Sequence, residues 1–338
     1  MLAETSIDYS HLWYINEVIL WLKIEFDFFL ETVLLFWYNF KIRILHSVAY
    51  LKIGGHFLIM YIKCWGSRGQ IPVSGVEYNK YGGDTTCIEI EASSGETVII
   101  DAGSGIRHLG QKLLIGQKKS VHLIFTHLHL DHILGFPFFG PIYKRGFSIT
   151  VYGCPFKGID FKDSLNGMMR APYFPVDLKN VPAKLKFKNI SNRSLRIGSL
   201  RIHPILLNHP NGGMGYRIED DRKNFVFLTD NELGYDLPGN QPFDYYVEFA
   251  KGADLLIHDA EFDKEEYLKY KAWGHSMYAD AVKLGAESGV KRLGLFHINN
   301  MRTDSQVDFM VKDARRLVEK TGKKIDCFAV GSGFELTL

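Results

Sequence analysis

The segment Phe125-Thr126-His127-Leu128-His129-Leu130-Asp131-His132 restricts the fold more than any other, because an apolar run stops there in four side chains of the kind that bind metal. Val121, Leu123, Ile124 and Phe125 read as the end of a buried strand, so the polar side chains that follow leave a rigid edge. His127 and His129 alternate and therefore emerge on the same side, while Asp131 and His132 come where the chain turns into Ile133-Leu134-Gly135. A lone histidine is an ordinary surface residue. Three imidazoles and a carboxylate within six residues of a strand end are instead a donor set for zinc or another borderline divalent ion, with room for two ions side by side.

The same stretch resembles the H-x-H-x-D-H signature of the metallo-β-lactamase fold superfamily, and every position matches. His129 stands where the di-iron flavoprotein branch carries glutamate, so the resemblance favours zinc-type hydrolysis over oxygen chemistry. The fold it implies is an α/β (α+β) four-layer sandwich, two mixed β-sheets flanked by helices in αββα order. The order of the elements agrees, since two β-rich halves, each followed by helices, suggest sheet packed on sheet with helices outside.

Hydrophobic residues make up 46% of the 338 residues, ample for a sizeable core, and the net charge of +2 is spread along the chain rather than gathered into a basic face for duplex nucleic acid. Cys64, Cys87, Cys154 and Cys327 are far apart and form no C-x-x-C pair, which argues against a disulfide framework or a zinc ribbon and for reduced packing residues in a cytoplasmic protein. Residues 1–59 differ in texture, being dense in aromatic and aliphatic side chains. Charged residues from Glu17 to Arg43 interrupt every window long enough to span a membrane, and no signal-peptide pattern is evident. A helical membrane-surface or partner-binding segment remains, as does a functional polypeptide that starts at Met60; residues 60–338 are then the hydrolase domain.

Along that domain, strands are expected at Tyr61–Trp65, Thr85–Glu91, Thr97–Ile100, Ile149–Tyr152, Ser199–Leu207, Gly215–Glu219 pairing with Asn224–Leu228, Ala253–Ile257 and Lys291–Phe296. Helices are expected through Leu109 and Leu113, over Phe161–Arg170, through Ala281 and Leu284, and over Ser305–Glu319. Asp101 reads as a helix cap, or by the resemblance as a buried carboxylate beneath the metal loop that orients ligand histidines. Phe136, Phe138 and Phe139 form an aromatic cluster that suits either core packing or a floor for a ring of the substrate. Arg170 is a candidate phosphate contact, against an ordinary surface charge.

Over Met60 to Leu338 the resemblance implies a ligand set: His127, His129 and His209 for one ion, Asp131, His132 and His297 for the other, and Asp230 bridging. It implies two divalent ions, zinc with manganese or iron as alternatives, and attack on a phosphodiester by a hydroxide between them. His258 is not needed in this set. Gly274-His275-Ser276 looks like the phosphodiesterase branch; His275 is the candidate proton donor to the leaving group, its ring held by Asp259 or Glu261, against a plain helix start capped by Ser276. Trp65-Gly66-Ser67-Arg68-Gly69 and Tyr81-Gly82-Gly83-Asp84-Thr85-Thr86 look like small bacterial enzymes of the cyclic-nucleotide or cyclic-phosphate phosphodiesterase type, which makes a small phosphodiester the expected substrate. A homodimer is an open expectation only because dimers are the commonest assembly. The alternatives are an RNase Z-like RNA 3′-end endonuclease, from which Asp259 and the lack of a long Gly/Pro- and Lys-rich insertion depart, and a metal-binding membrane-peripheral or partner-binding protein without turnover.

Overall fold

The computed structural model describes residues 59–155, 160–190, 193–235 and 239–338. The expectation for the aromatic amino-terminal stretch falls on residues 1–58 and lies outside them. Among the described residues no helix is long and apolar enough to cross a membrane.

Strands whose side chains are apolar on both faces need cover on both faces. Thr97–Ile100 is buried at every position and Ser120–Ile124 at three of its five, and each lies inside a seven-stranded sheet. The first sheet contains β1 (Tyr61–Gly66), β2 (Cys87–Glu91), β3 (Thr97–Ile100), β4 (Ser120–Ile124), β5 (Ser148–Gly153) and β6 (Lys184–Asn189). The second contains β7 (Leu195–Ile197), β8 (Leu200–Leu206), β9 (Met214–Asp220), β10 (Lys223–Leu228), β11 (Leu255–Asp259), β12 (Arg292–Phe296) and β13 (Asp326–Ala329). The last strand, β14 (Glu335–Thr337), returns to the first sheet beside β1. Both sheets begin with antiparallel neighbours and change to parallel ones, at β3–β4 in the first and β10–β11 in the second. The fold is therefore built from two halves of like design.

Three apolar clusters make the layers. Ile62, Ile88, Ile100, Ile202, Tyr216, Phe227 and Phe296 belong to one buried between the sheets. Outside the first sheet, α1 (Ile106–Ile115), α2 (Leu130–Ile133) and α3 (Phe161–Met168) bury Leu109, Ile133 and Leu165 against Val121, Leu123 and Val151. Outside the second, α4 (Phe243–Ala250), α6 (Tyr278–Ser288) and α7 (Asp304–Lys320) bury Tyr246, Leu284 and Val307 against Val226, Leu256 and Leu293, and the short α5 (Lys264–Tyr270) precedes α6. Helix α7 carries its apolar residues Val307, Met310, Val311, Ala314 and Val318 at helical spacing, and Thr303 and Gln306 close a capping box at its start. The result is the αββα sandwich expected from the sequence.

Candidate metal centre

Four strand ends supply the donors. His127, His129, Asp131 and His132 follow β4, His209 follows β8, Asp230 follows β10 and His297 follows β12. The donor atoms of His127, His129 and His209 lie within 4.8 Å of one another, as do those of Asp131, His132, Asp230 and His297. Asp230 faces both groups: Oδ1 lies 3.3 Å from His132 Nε2, and Oδ2 lies 3.6, 3.8 and 3.3 Å from Nε2 of His127, His209 and His297. Strand ends hold these residues in unusual backbone shapes. Asp101, Asp230 and His297 have φ of +62°, +53° and +56°, a region costly for side chains other than glycine and kept only where the surroundings fix it.

Behind the donors stands a layer of carboxylates. Asp101 Oδ2 accepts from His132 Nδ1 at 2.8 Å and is held by the Thr126 hydroxyl, while its Oδ1 accepts the Thr126 N–H at 2.7 Å. Asp101 thus orients the His132 ring, as a carboxylate behind a metal site would, rather than merely capping a helix. Glu261 Oε2 accepts from His297 Nδ1 at 2.9 Å, and Gly274 O accepts from His209 Nδ1 at 3.0 Å. Asp259 Oδ2 accepts from His275 Nδ1 at 2.7 Å, and Asp259 Oδ1 from the Ser276 N–H at 2.9 Å. Between the two carboxylates named for the His275 ring, Asp259 is the closer; Glu261 lies 3.4 Å away and serves His297. The His275 ring stacks on His297 with centroids 4.6 Å apart. His258 is wholly buried, donating from Nδ1 to Asp259 O and accepting at Nε2 from Asn231, so both its nitrogens are used within the core.

Electrostatics favour cations here. Asp101, Asp131, Asp230, Asp259 and Glu261 are all buried, an arrangement that is costly without compensating positive charge. Burial pushes the Asp131 and Asp230 carboxyls up, yet the neighbouring imidazoles outweigh it and hold both well below the usual carboxylate range. Burial alone dominates at His127 and His209; His127 falls well below its usual value and His209 falls to about 4, leaving both neutral, as metal-binding imidazoles are. At His275 burial works against the charged ring, but Asp259 and then Glu261 push it up to about 9. Two atoms decide the fit to metal. His127 Nε2 and His132 Nε2 are buried without a hydrogen-bond partner among the described residues, an arrangement expected of nitrogens that face an ion.

A model described as Beta-lactamase superfamily domain matches residues 96–298. The chain belongs to that superfamily, with the metallo-β-lactamase fold. Members with this fold carry divalent metal, and this member is a metal-dependent hydrolase. Ribonuclease Z of Lactococcus lactis subsp. lactis (strain IL1403) is 25% identical over 277 residues, covering 67% of this chain and 86% of its own. Among solved structures, the metallo-β-lactamase fold protein YhfI from Bacillus subtilis aligns with a TM-score of 0.60 at 17% identity, over 83% of this chain and 100% of that one. The short form of human tRNase Z aligns with a TM-score of 0.55 at 17% identity, over 82% and 98%.

Around the centre, the structure departs from the sequence in two respects. Phe136 and Phe139 are fully buried in the core outside the first sheet, so neither forms a substrate floor; Phe138 alone is exposed, edge-on to Phe174 at 5.7 Å. Arg170 is exposed at the end of α3 and does not line the cavity beside the histidines. That cavity, about 940 Å³, opens against His127 and His129 and is walled by Leu128, Cys154, Ile190, Leu206 and Met214, with Asn189, Arg193 and Asn211 as polar points. Glu232 and Gln70 were missed. Glu232 accepts the Ala272 and Gly274 N–H groups and the Tyr267 hydroxyl, all at 2.9 Å, and so aims the turn that carries His275. Its place in Thr229-Asp230-Asn231-Glu232, two residues after the candidate ligand Asp230 at a strand end, was the available signal.

Proposed function

We propose that this chain hydrolyses a small phosphodiester, a cyclic nucleotide or cyclic ribosyl phosphate being favoured, at a centre of two divalent ions. The observation that carries the reading is the His275–Asp259 pair, at 2.7 Å, stacked on His297 at the edge of the donor set. His127, His129 and His209 would hold one ion and Asp131, His132 and His297 the other, with Asp230 shared; zinc suits this nitrogen and oxygen set, and manganese or iron also bind such donors. Bound there, such ions supply a water acidified toward neutrality and Lewis-acid polarisation of the phosphoryl oxygens.

The protein's own groups do the rest. Asp259 fixes the His275 ring through Nδ1, which leaves Nε2 as the nitrogen that gives a proton to the leaving alkoxide. Asp259 and then Glu261 push the ring up, which favours the charged form that this role requires. The mostly apolar cavity beside His127 and His129 offers space for the organic part of a small ester and excludes water from one side of it.

A second reading, RNA 3′-end processing, draws support from the relative named ribonuclease Z. One panel separates the two: metal-loaded protein offered bis(p-nitrophenyl) phosphate, cyclic mononucleotides, cyclic dinucleotides, cyclic ribosyl phosphate and precursor tRNA. The expected result is turnover of the diester and of a cyclic phosphate that collapses in Asp131→Ala. Turnover of precursor tRNA alone establishes the second reading, and metal loading with no turnover across the panel defeats both.

A further inference from the structure

The loop after β1 lies directly on the metal centre. A Cβ on Gly69 would run into the His297 imidazole, so glycine lets the backbone rest on that ring. The next residue, Gln70, reaches two carboxylates that come from different sheets. Its backbone N–H donates to Asp131 Oδ2 at 2.8 Å, and its side-chain amide donates to Glu261 Oε1, whose partner oxygen holds His297 Nδ1 at 2.9 Å. Asp131 follows β4 of the first sheet, whereas Glu261 and His297 follow β11 and β12 of the second. One residue therefore ties Asp131 of the first sheet to the Glu261–His297 pair of the second.

That residue is held in a costly shape. Gln70 has φ of +67°, a left-handed conformation costly for a side chain of this kind and kept only where neighbours enforce it. The neighbours are the Gly69 N–H to Ile298 O at 3.0 Å, the Ile298 N–H to Ser67 O at 2.9 Å, and the wholly buried Arg68, which donates to Arg302 O at 2.7 Å and Gly82 O at 2.8 Å. Asn299 Nδ2 also reaches Glu261 Oε1, at 3.1 Å, so the carboxylate keeps one donor if the glutamine amide is removed.

We infer that Gln70 is a positioning residue for one half of the centre: by fixing Asp131 and, through Glu261, the ring of His297, it sets how tightly Asp131, His132 and His297 take a divalent cation. The inference rests on the two-ion reading above. The trio of His127, His129 and His209 makes no contact with Gln70 in the hydrogen-bond network of the described residues, and its affinity is independent of it.

The test is a zinc titration of the full, metal-free chain against a chromophoric chelator, comparing the wild type with Gln70→Leu and Gln70→Gly. Both variants keep the backbone N–H and lose the amide, and the glycine also relieves the backbone. In both, the first equivalent should bind as in the wild type and the second about 10- to 100-fold more weakly, the usual cost of removing a group that orients a ligand. Cobalt added as a second readout should give a changed visible spectrum for the second equivalent only. Two unchanged equivalents overturn the inference, as does equal weakening of both, which would mark a general structural role. Wild-type affinity in Gln70→Gly alone also overturns it, since backbone strain and not the amide would then be the cause. A wild type that takes fewer than two equivalents fells the two-ion reading itself, and this inference with it.

Discussion

The proton-donor role proposed for His275 depends on the surroundings of a single ring. Buried and stacked on His297, it would be neutral without Asp259 and Glu261, whose charges push it up to about 9. Cations bound alongside oppose those carboxylates, so in the loaded enzyme the ring titrates at or below that value. A proton donor must be charged to act and a metal-bound water must be deprotonated to attack, so kcat declines at acid pH and should fall again as pH rises through the pKa of His275. Asp259→Asn removes the larger attraction and should move that fall to lower pH, while His275→Ala should lower kcat by about 100- to 10,000-fold and abolish the fall with metal content unchanged. A pH–rate profile with metal analysis on the same samples checks this; equal loss of turnover and metal would give His275 a structural role. The candidate ligand histidines stood out in the sequence because chemistry-bearing side chains were crowded at strand ends. Gln70 could not be, since half of its contribution is a backbone N–H and the rest depends on a left-handed φ that no residue type announces. Phe136 and Phe139 misled for the opposite reason: aromatic clusters next to a site look alike whether they face the substrate or the core.

At the scale of elements, the strands that the sequence revealed were the interior ones. Strands β3, β4, β10, β11 and β12 carry apolar side chains on both faces because helices cover one side and the other sheet covers the second. The four strands that escaped notice, β6, β7, β13 and β14, are the edges of the two sheets. Edges need less apolar surface and are often charged, which discourages pairing with other chains. β6 shows this plainly, with Lys184, Lys186 and Lys188 alternating around Leu185 and Phe187. Helices α4 and α5 were missed as well. The interior strands also carry the stability. Leu123 of β4 is fully buried beneath the helices of the first sheet, so Leu123→Ala should cost about 2–5 kcal/mol in urea unfolding, through lost burial and the cavity left behind. Ile115, 89% exposed at the end of α1, is the control, and Ile115→Ala should stay within about 0.5 kcal/mol. Similar costs at the two positions would mean that β4 is not the packed support of the metal loop.

The described residues form two like halves joined face to face, and the candidate donor set stands where the strand ends of both halves meet. His127, His129, Asp131 and His132 come from the first sheet, and His209, Asp230 and His297 from the second. Bound cations would therefore do more than chemistry, because they join the sheets at one end of a seam otherwise closed by apolar packing such as Ile100, Tyr216 and Phe296. Removing them leaves five buried carboxylates with only imidazoles for compensation, and a ligand that binds only the folded state adds roughly 4 kcal/mol when present at 1,000 times its Kd. The loss should be local in its first effect. Chelation should raise amide hydrogen exchange in the loops at 126–132, 208–213, 230–232 and 297–302, whereas β3 and β11, each paired on both sides within its sheet, should keep their protection until global unfolding. Exchange that rises uniformly over both sheets would show that the seam relies on cations throughout. Exchange that does not change at all would mean that the apolar layer holds these strand ends together by itself, and that the centre was assembled for catalysis without any share in stability.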